Sequence, residues 1–190
     1  MINYSDVDNL MILGVHTNKN LLSRIIRWFT GQYYQHSGTV VRIKNKIWIF
    51  EEVEEGAVLT PFEDYIKTIS EGIHEVAFYV VDMEEVNINE TTTSKWLEFV
   101  KKYKGIPYDF ENLLLNQPVK ILLKEWIGST GEDSKKRMIC NELTYNHLQY
   151  TFPTDLPNIG YKANWNDIIK YVIQGSNNIT KKNINQFLNK

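Results

Sequence analysis

Apolar residues gather along this chain in short runs of two kinds. Residues 10–16, LMILGVH, are almost wholly apolar and predict a buried strand ending at Gly14 or His16. Residues 36–43, HSGTVVRI, and 46–53, KIWIFEEV, are β-rich and separated by a short polar break, so they read as an antiparallel hairpin. Residues 74–83, HEVAFYVVDM, give a third strong strand. Other stretches repeat at helical spacing. In 18–31, Leu21, Leu22, Ile25, Ile26 and Phe29 share a face, Asn18 or Asn20 can cap the start, and Gly31 supplies the stop. Residues 60–70 and 91–105 predict two more helices, the second with a Thr/Ser-rich start and Gly105 at its end. Residues 138–150, MICNELTYNHLQY, predict a helix with Cys140 in its first turn. Between these, 106–128 is mixed, helical in parts and broken at Pro118, and 129–137 is a polar loop. The polar tail from about residue 176 is expected to fray.

These elements make an α+β domain, an antiparallel sheet of about four to six strands packed on helices. No repeat or linker divides the chain, so residues 1–190 are read as one domain. With 43% hydrophobic residues in 190, the chain can bury a substantial core. Its 21 basic and 23 acidic residues leave a net charge of −2, without the basic bias of a nucleic-acid binder. No apolar run reaches membrane-spanning length, and the N-terminus lacks a basic region and a full apolar signal segment. The expectation is a chain used in a cytoplasm, with no integral membrane segment. Arg24 and Arg27 make too thin a basic face to turn the 18–31 helix into a membrane-surface element.

Cys140 is the single cysteine, so it cannot close an internal disulfide. A lone cysteine is more often a small buried hydrophobe than a catalyst. At a helix start, however, unpaired N–H groups and the macrodipole favour the thiolate, and the same groups can hold an oxyanion. A nucleophilic cysteine also needs a base and a group to orient that base. Of the four histidines, His147 lies two helical turns beyond Cys140, too far for a direct hydrogen bond. His16 and His74 read as strand-end residues. His36 opens a strand and is followed by the small residues Ser37 and Gly38, which leave room for a second group. The partner strand ends in Glu51 and Glu52, and a carboxylate there can reach across the ladder. Alternation puts the two glutamates on opposite faces, so one alone can serve.

The order YYQHSGTVV, IWIFEEVEEGAVLTPFEDYI, GIPYDF and ICNELTYNHL resembles the circularly permuted NlpC-type papain-like cysteine hydrolases, the YiiX-like group. The resemblance spans roughly residues 10–150, and the histidine strand precedes the cysteine helix, as permutation requires. It implies Cys140 as nucleophile, His36 as general base and Glu51 as the orienting acid. Glu51 is chosen by its distance from the turn glycine Gly56, with Glu52 as the alternative. It also implies a site-lining Tyr108 that assists the oxyanion hole, and places Glu142 at the acidic position of the cysteine motif. The chain departs from the pattern at Asn141, at Ser37 and Thr39 around the strand glycine, and at Gly14-Val15 near the first strand.

The activity so implied is amide hydrolysis through a thioacyl-enzyme, with no metal and no cofactor. The substrate would be a peptide, amide or acyl lipid, cell-wall peptides among them. Tyr33, Tyr34, Trp48 and Tyr108 are candidates to line its pocket. Zinc is the competing use of Cys and His, but no C-x-x-C or H-E-x-x-H spacing is present. Two further alternatives are acyl transfer of the lecithin retinol acyltransferase type and a non-catalytic binding module on the same scaffold. The sequence leaves the oligomeric state open.

Overall fold

The computed structural model describes residues 11–17, 24, 27, 33–81, 90–109, 137–152, 156, 165–168, 170 and 179–183. The strands are β1 (Met11–Thr17), β2 (His36–Ile43), β3 (Lys46–Val53), β4 (Gly56–Pro61), β5 (His74–Val81) and β6 (Ile179–Asn183). The helices are α1 (Phe62–Ser70), α2 (Glu90–Tyr103), α3 (Cys140–Thr151) and the short α4 (Trp165–Asp167). Within the expected 18–31 helix only Arg24 and Arg27 are described, both helical. The expectations for residues 110–136 lie outside the described residues.

The six strands among the described residues join one sheet in the order β4-β3-β2-β1-β5-β6, every described pairing antiparallel. The β2–β3 hairpin closes through Lys44 and Asn45, both at positive φ, as a tight turn matched to strand twist requires. Two strands depart from the sequence expectations. Gly56–Pro61 is a strand, and the helix expected from residue 60 starts at Phe62. The tail expected to fray supplies β6, the edge strand beside β5.

Alternation gives the sheet two apolar faces. Leu13, Val15, Val40, Ile47 and Ile49 pack with Phe62 and Tyr65 of α1. Ile12, Val41, Phe50 and Ala57 pack on the other side with Trp96 and Phe99 of α2 and Leu143, Tyr145 and Leu148 of α3. Helix α3 is thus nearly enclosed, with nine of its twelve residues buried.

Gly56 ties this scaffold to the segment that carries Tyr108. Its φ is +107°, and a side chain there would bring a Cβ within 2.5 Å of the Ile106 carbonyl oxygen, so both backbone and space demand glycine. The close approach lets Ala57 N–H donate to Ile106 O at 2.9 Å and Gly105 N–H to Ala57 O at 2.8 Å. Met138 N–H then donates to Pro107 O, and Asp109 N–H to Met138 O, in a short bridge just before α3.

Candidate active site

His36 opens β2, and register decides which glutamate it meets. Gly38 pairs with Glu51, and residues paired across a ladder share a face, so Glu51 lies on the side of His36, Gly38 and Val40. His36 Nε2 and Glu51 Oε2 are 2.5 Å apart. The Tyr65 hydroxyl of α1 donates to the same oxygen. Glu52 pairs with Ala57 and therefore faces the α3 side.

Cys140 comes from the other layer. Helix α3 begins at this residue, and its first turn is fixed by Ile139 N–H donating to Glu142 Oε2 at 3.1 Å. That bond explains the acidic residue two places after the cysteine: it satisfies an N–H at the helix start. The start of α3 lies against the start of β2, with Cys140 Sγ 4.0 Å from the Gln35 carbonyl oxygen. The thiol and the His36 imidazole are hydrogen-bonding partners. With Nε2 engaged by Glu51, Nδ1 is the ring nitrogen left to serve the sulfur.

The electrostatics follow from these contacts. Burial alone would push the His36 pKa down, but the charges of Cys140 and Glu51 and their hydrogen bonds raise it to about 10. For Glu51, burial opposes ionisation, yet His36 together with Thr60 and Tyr65 holds the carboxyl below its ordinary value. Burial likewise opposes the Cys140 thiolate. The imidazolium and backbone N–H groups of Ser37 and Asn141 outweigh it and lower the thiol pKa. These shifts all run toward a thiolate–imidazolium pair backed by a carboxylate.

The pair opens into a cavity of about 460 Å³. Its walls include Val15, Val53 and Tyr65, and also Thr17, Thr60, Thr68, Asp64 and His74. Tyr108 and Cys140 both line it. Burial first, then the negative charges of Cys140, Glu52, Glu142 and Glu54, push the Tyr108 phenol well above its ordinary pKa, so it stays a proton donor.

Among solved structures, the chain is similar to the metalloprotein YiiX from Escherichia coli O157:H7, at a TM-score of 0.60 and 17% identity over 93% of this chain and 96% of that one. The likeness is one of fold. No protein-family model and no curated protein matches the chain.

The structure thus brings Cys140, His36, Glu51 and Tyr108 together and turns Glu52 to the opposite face of the sheet. The expected aromatic wall is largely elsewhere. Tyr34 packs edge-on against Trp165, Trp48 lies on the α3-side core, and Tyr33 stacks on His16, 49% exposed. Tyr65, which the sequence reading passed over, both lines the cavity and holds Glu51. Its signal was its place on the apolar face of α1, where a hydroxyl at the sheet surface needs a partner. Three of the residues that depart from the sequence pattern, Ser37, Thr39 and Asn141, form an interlayer seam. Ser37 Oγ donates to Asn141 Oδ1 at 2.9 Å and lies 3.0 Å from Thr144 Oγ1, while Thr39 Oγ1 lies 2.8 Å from His147 Nδ1.

Proposed function

We propose that this protein is a cysteine hydrolase of amide bonds, built on a permuted NlpC-type papain-like domain. The observation that carries the reading is one imidazole held between a carboxylate and a thiol at the head of a cavity. In this mechanism the Cys140 thiolate attacks the substrate carbonyl carbon. The developing oxyanion is met by N–H groups at the start of α3 and by the protonated Tyr108. His36 gives its Nδ1 proton to the departing amine, the C–N bond breaks, and a thioacyl-enzyme remains. His36 then takes a proton from water, hydroxide adds to the thioester carbonyl, and the acid leaves as the thiol reforms. Glu51 fixes the ring orientation and stabilises its cation, with Tyr65 fixing Glu51 in turn.

The cavity wall is mostly apolar, with Thr17, Thr60, Thr68, Asp64 and His74 as polar groups along it, so it offers surface to a peptide side chain and to a lipid acyl chain alike. A binding module would have no use for a lowered thiol pKa.

The name of the YiiX neighbour raises metal binding for this chain. The residues of this site do not make a fitting set: His36 Nε2 is engaged by Glu51, and the Cys140 thiol is paired with the same imidazole. Among the described residues no three of His, Cys, Asp and Glu group so as to hold a metal ion. No step of the mechanism is assigned to a metal.

The test is thiol chemistry at mildly acidic pH. Iodoacetamide at pH 5.5 should label Cys140 faster than it labels a free cysteine, and His36→Ala should remove that advantage. Hydrolysis of an activated ester or amide should be lost in Cys140→Ala and unaffected by a chelator. Labelling no faster than free cysteine would refute the ion pair, and with it the hydrolase.

A further inference from the structure

Glu52 is the most unusual side chain outside the triad. It is 1% exposed, and neither carboxyl oxygen has a hydrogen-bond partner. Glutamate is almost never fully buried unless paired, because an isolated charge in a low-dielectric interior costs far more than a neutral acid. Its position is fixed by register: it pairs with Ala57 on the α3 face, and one further step of the β2–β3 ladder sets it beside Ser37. It is close enough to Cys140, His36 and Tyr108 to act on all three. It does not line the cavity. It therefore lies behind the nucleophile and the proposed oxyanion donor, out of the substrate's reach.

We propose that Glu52 is a positioning residue for the Cys140–His36 pair: as a neutral acid it allows the thiolate and the oxyanion to form beside it, and its ionisation closes the site from the alkaline side. This rests on the reading of Cys140 as the nucleophile. The titratable groups around it are His36 from β2, Cys140 from α3, and Tyr108 on the bridging segment, with Glu142 and Glu54 acting on the same Tyr108. Burial and the Cys140 charge favour the protonated form of Glu52, while His36 opposes them, and the balance puts its pKa at about 9. Below that value the carboxyl behind the pair is uncharged. Above it, a second anion faces the two places where the reaction must hold negative charge, and a further anion there is repelled. Glutamine at this position could not switch.

The experiment compares the wild-type protein with Glu52→Gln, each rate expressed relative to its own optimum. Glu52→Met, a second neutral replacement of similar length, serves if the glutamine variant does not fold. With an activated ester, the wild-type alkaline limb should fall near pH 9, and that of the neutral variants near pH 10, where His36 loses its proton. At pH 9.5 the variants should keep about fourfold more of their optimum rate. A second readout needs no turnover. The ratio of Cys140 alkylation by anionic iodoacetate to that by neutral iodoacetamide should drop several-fold more from pH 8 to 9.5 in the wild type than in the variants. Coincident alkaline limbs and coincident ratios would overturn the proposal while leaving the hydrolase intact. A wild-type Cys140 that alkylates as an ordinary thiol at pH 5.5 would overturn both.

Discussion

One β2–α3 interface carries two histidines in opposite states. At its open end, His36 of β2 meets Cys140 of α3. One turn of strand and two turns of helix further in, Thr39 of β2 meets His147 of α3. His36 has 26% of its side chain exposed and a pKa raised to about 10. His147 is fully buried, and burial drives its pKa down to about 3, the bond to the Trp96 carbonyl opposing only weakly. The difference lies in the neighbours. His36 has a thiolate and a carboxylate. His147 is stacked between Trp96, with centroids 3.6 Å apart, and Phe99, at 4.5 Å, and touches Phe50 edge-on. Its Nε2 lies 2.9 Å from Trp96 O, which can only accept, so Nε2 carries the ring proton and Nδ1 accepts a hydrogen bond from the Thr39 hydroxyl. Burial lowers the pKa of both rings, and adjacent anions reverse the effect for one of them.

The largest effect should come from removing the anions that make His36 a cation. Glu51→Gln should lower the rate by about 10²- to 10⁴-fold, because the ring loses its orientation and its cation loses a partner. The His36 pKa should fall from about 10 in Glu51→Gln and fall further in Glu51→Gln with Cys140→Ala, since both anions that outweigh burial are then gone and the Glu52 carboxyl alone opposes it. Ring-proton NMR titration measures both. An unchanged His36 pKa in the double variant would show that the contrast with His147 is not made by these neighbours. The linkage has a definite sign. A raised histidine pKa contributes stability that is fully present below about pH 6.5 and is lost as pH rises toward about 10.

Much of this was legible in the sequence because it is local or periodic. The β2–β3 hairpin, α2 and the start of α3 follow from alternation, turn residues and helical spacing, and alternation alone separates Glu51 from Glu52. What escaped has physical reasons. In β4, GAVLTP ends in Pro61, which reads as a helix start, but on an edge strand a missing N–H is tolerated. In β6, ITKKN looks like polar tail because an edge strand can carry lysines and pairs on one side only. Ser37, Thr39 and Asn141 look like departures from a pattern, and only the packing of α3 on β2 shows that they satisfy one another. The box around His147 is built by Trp96 and Phe99, some fifty residues away, which no local pattern joins to it.

The second effect concerns the neutral ring and reads out in stability. With its folded pKa depressed to about 3, His147 stays neutral while the unfolded chain takes up a proton below about pH 6.5. Stability is therefore lost as pH falls from about 6.5 toward 3, by up to about 1.4 kcal/mol per pH unit from this group. Glu51, whose pKa is also lowered, adds an acid loss of the same sign as pH drops below the ordinary glutamate range. His147→Gln keeps a donor and an acceptor but cannot titrate. Urea unfolding at pH 7, 5 and 4 should show a shallower acid loss in the variant, whatever its stability at pH 7. Parallel slopes would mean that His147 is protonated in the folded protein and is no counterpart to His36.

The smallest effect sharpens the comparison by leaving both histidines in place and loosening the seam between them. Ser37→Ala removes the hydroxyl that donates to Asn141 and contacts Thr144. A buried Asn141 oxygen then loses its donor, at a cost of about 1–2 kcal/mol. The substitution leaves the Ser37 backbone N–H, which is the group that reaches the Cys140 sulfur. The side chain and the main chain of one residue therefore separate two roles, joining the layers and holding the thiolate. The expected result is a lower melting temperature with the pH-dependence of Cys140 alkylation unchanged. A shifted alkylation profile would show that the seam itself sets the distance between sulfur and imidazole. The two ends of the interface would then be one coupled unit rather than two environments side by side.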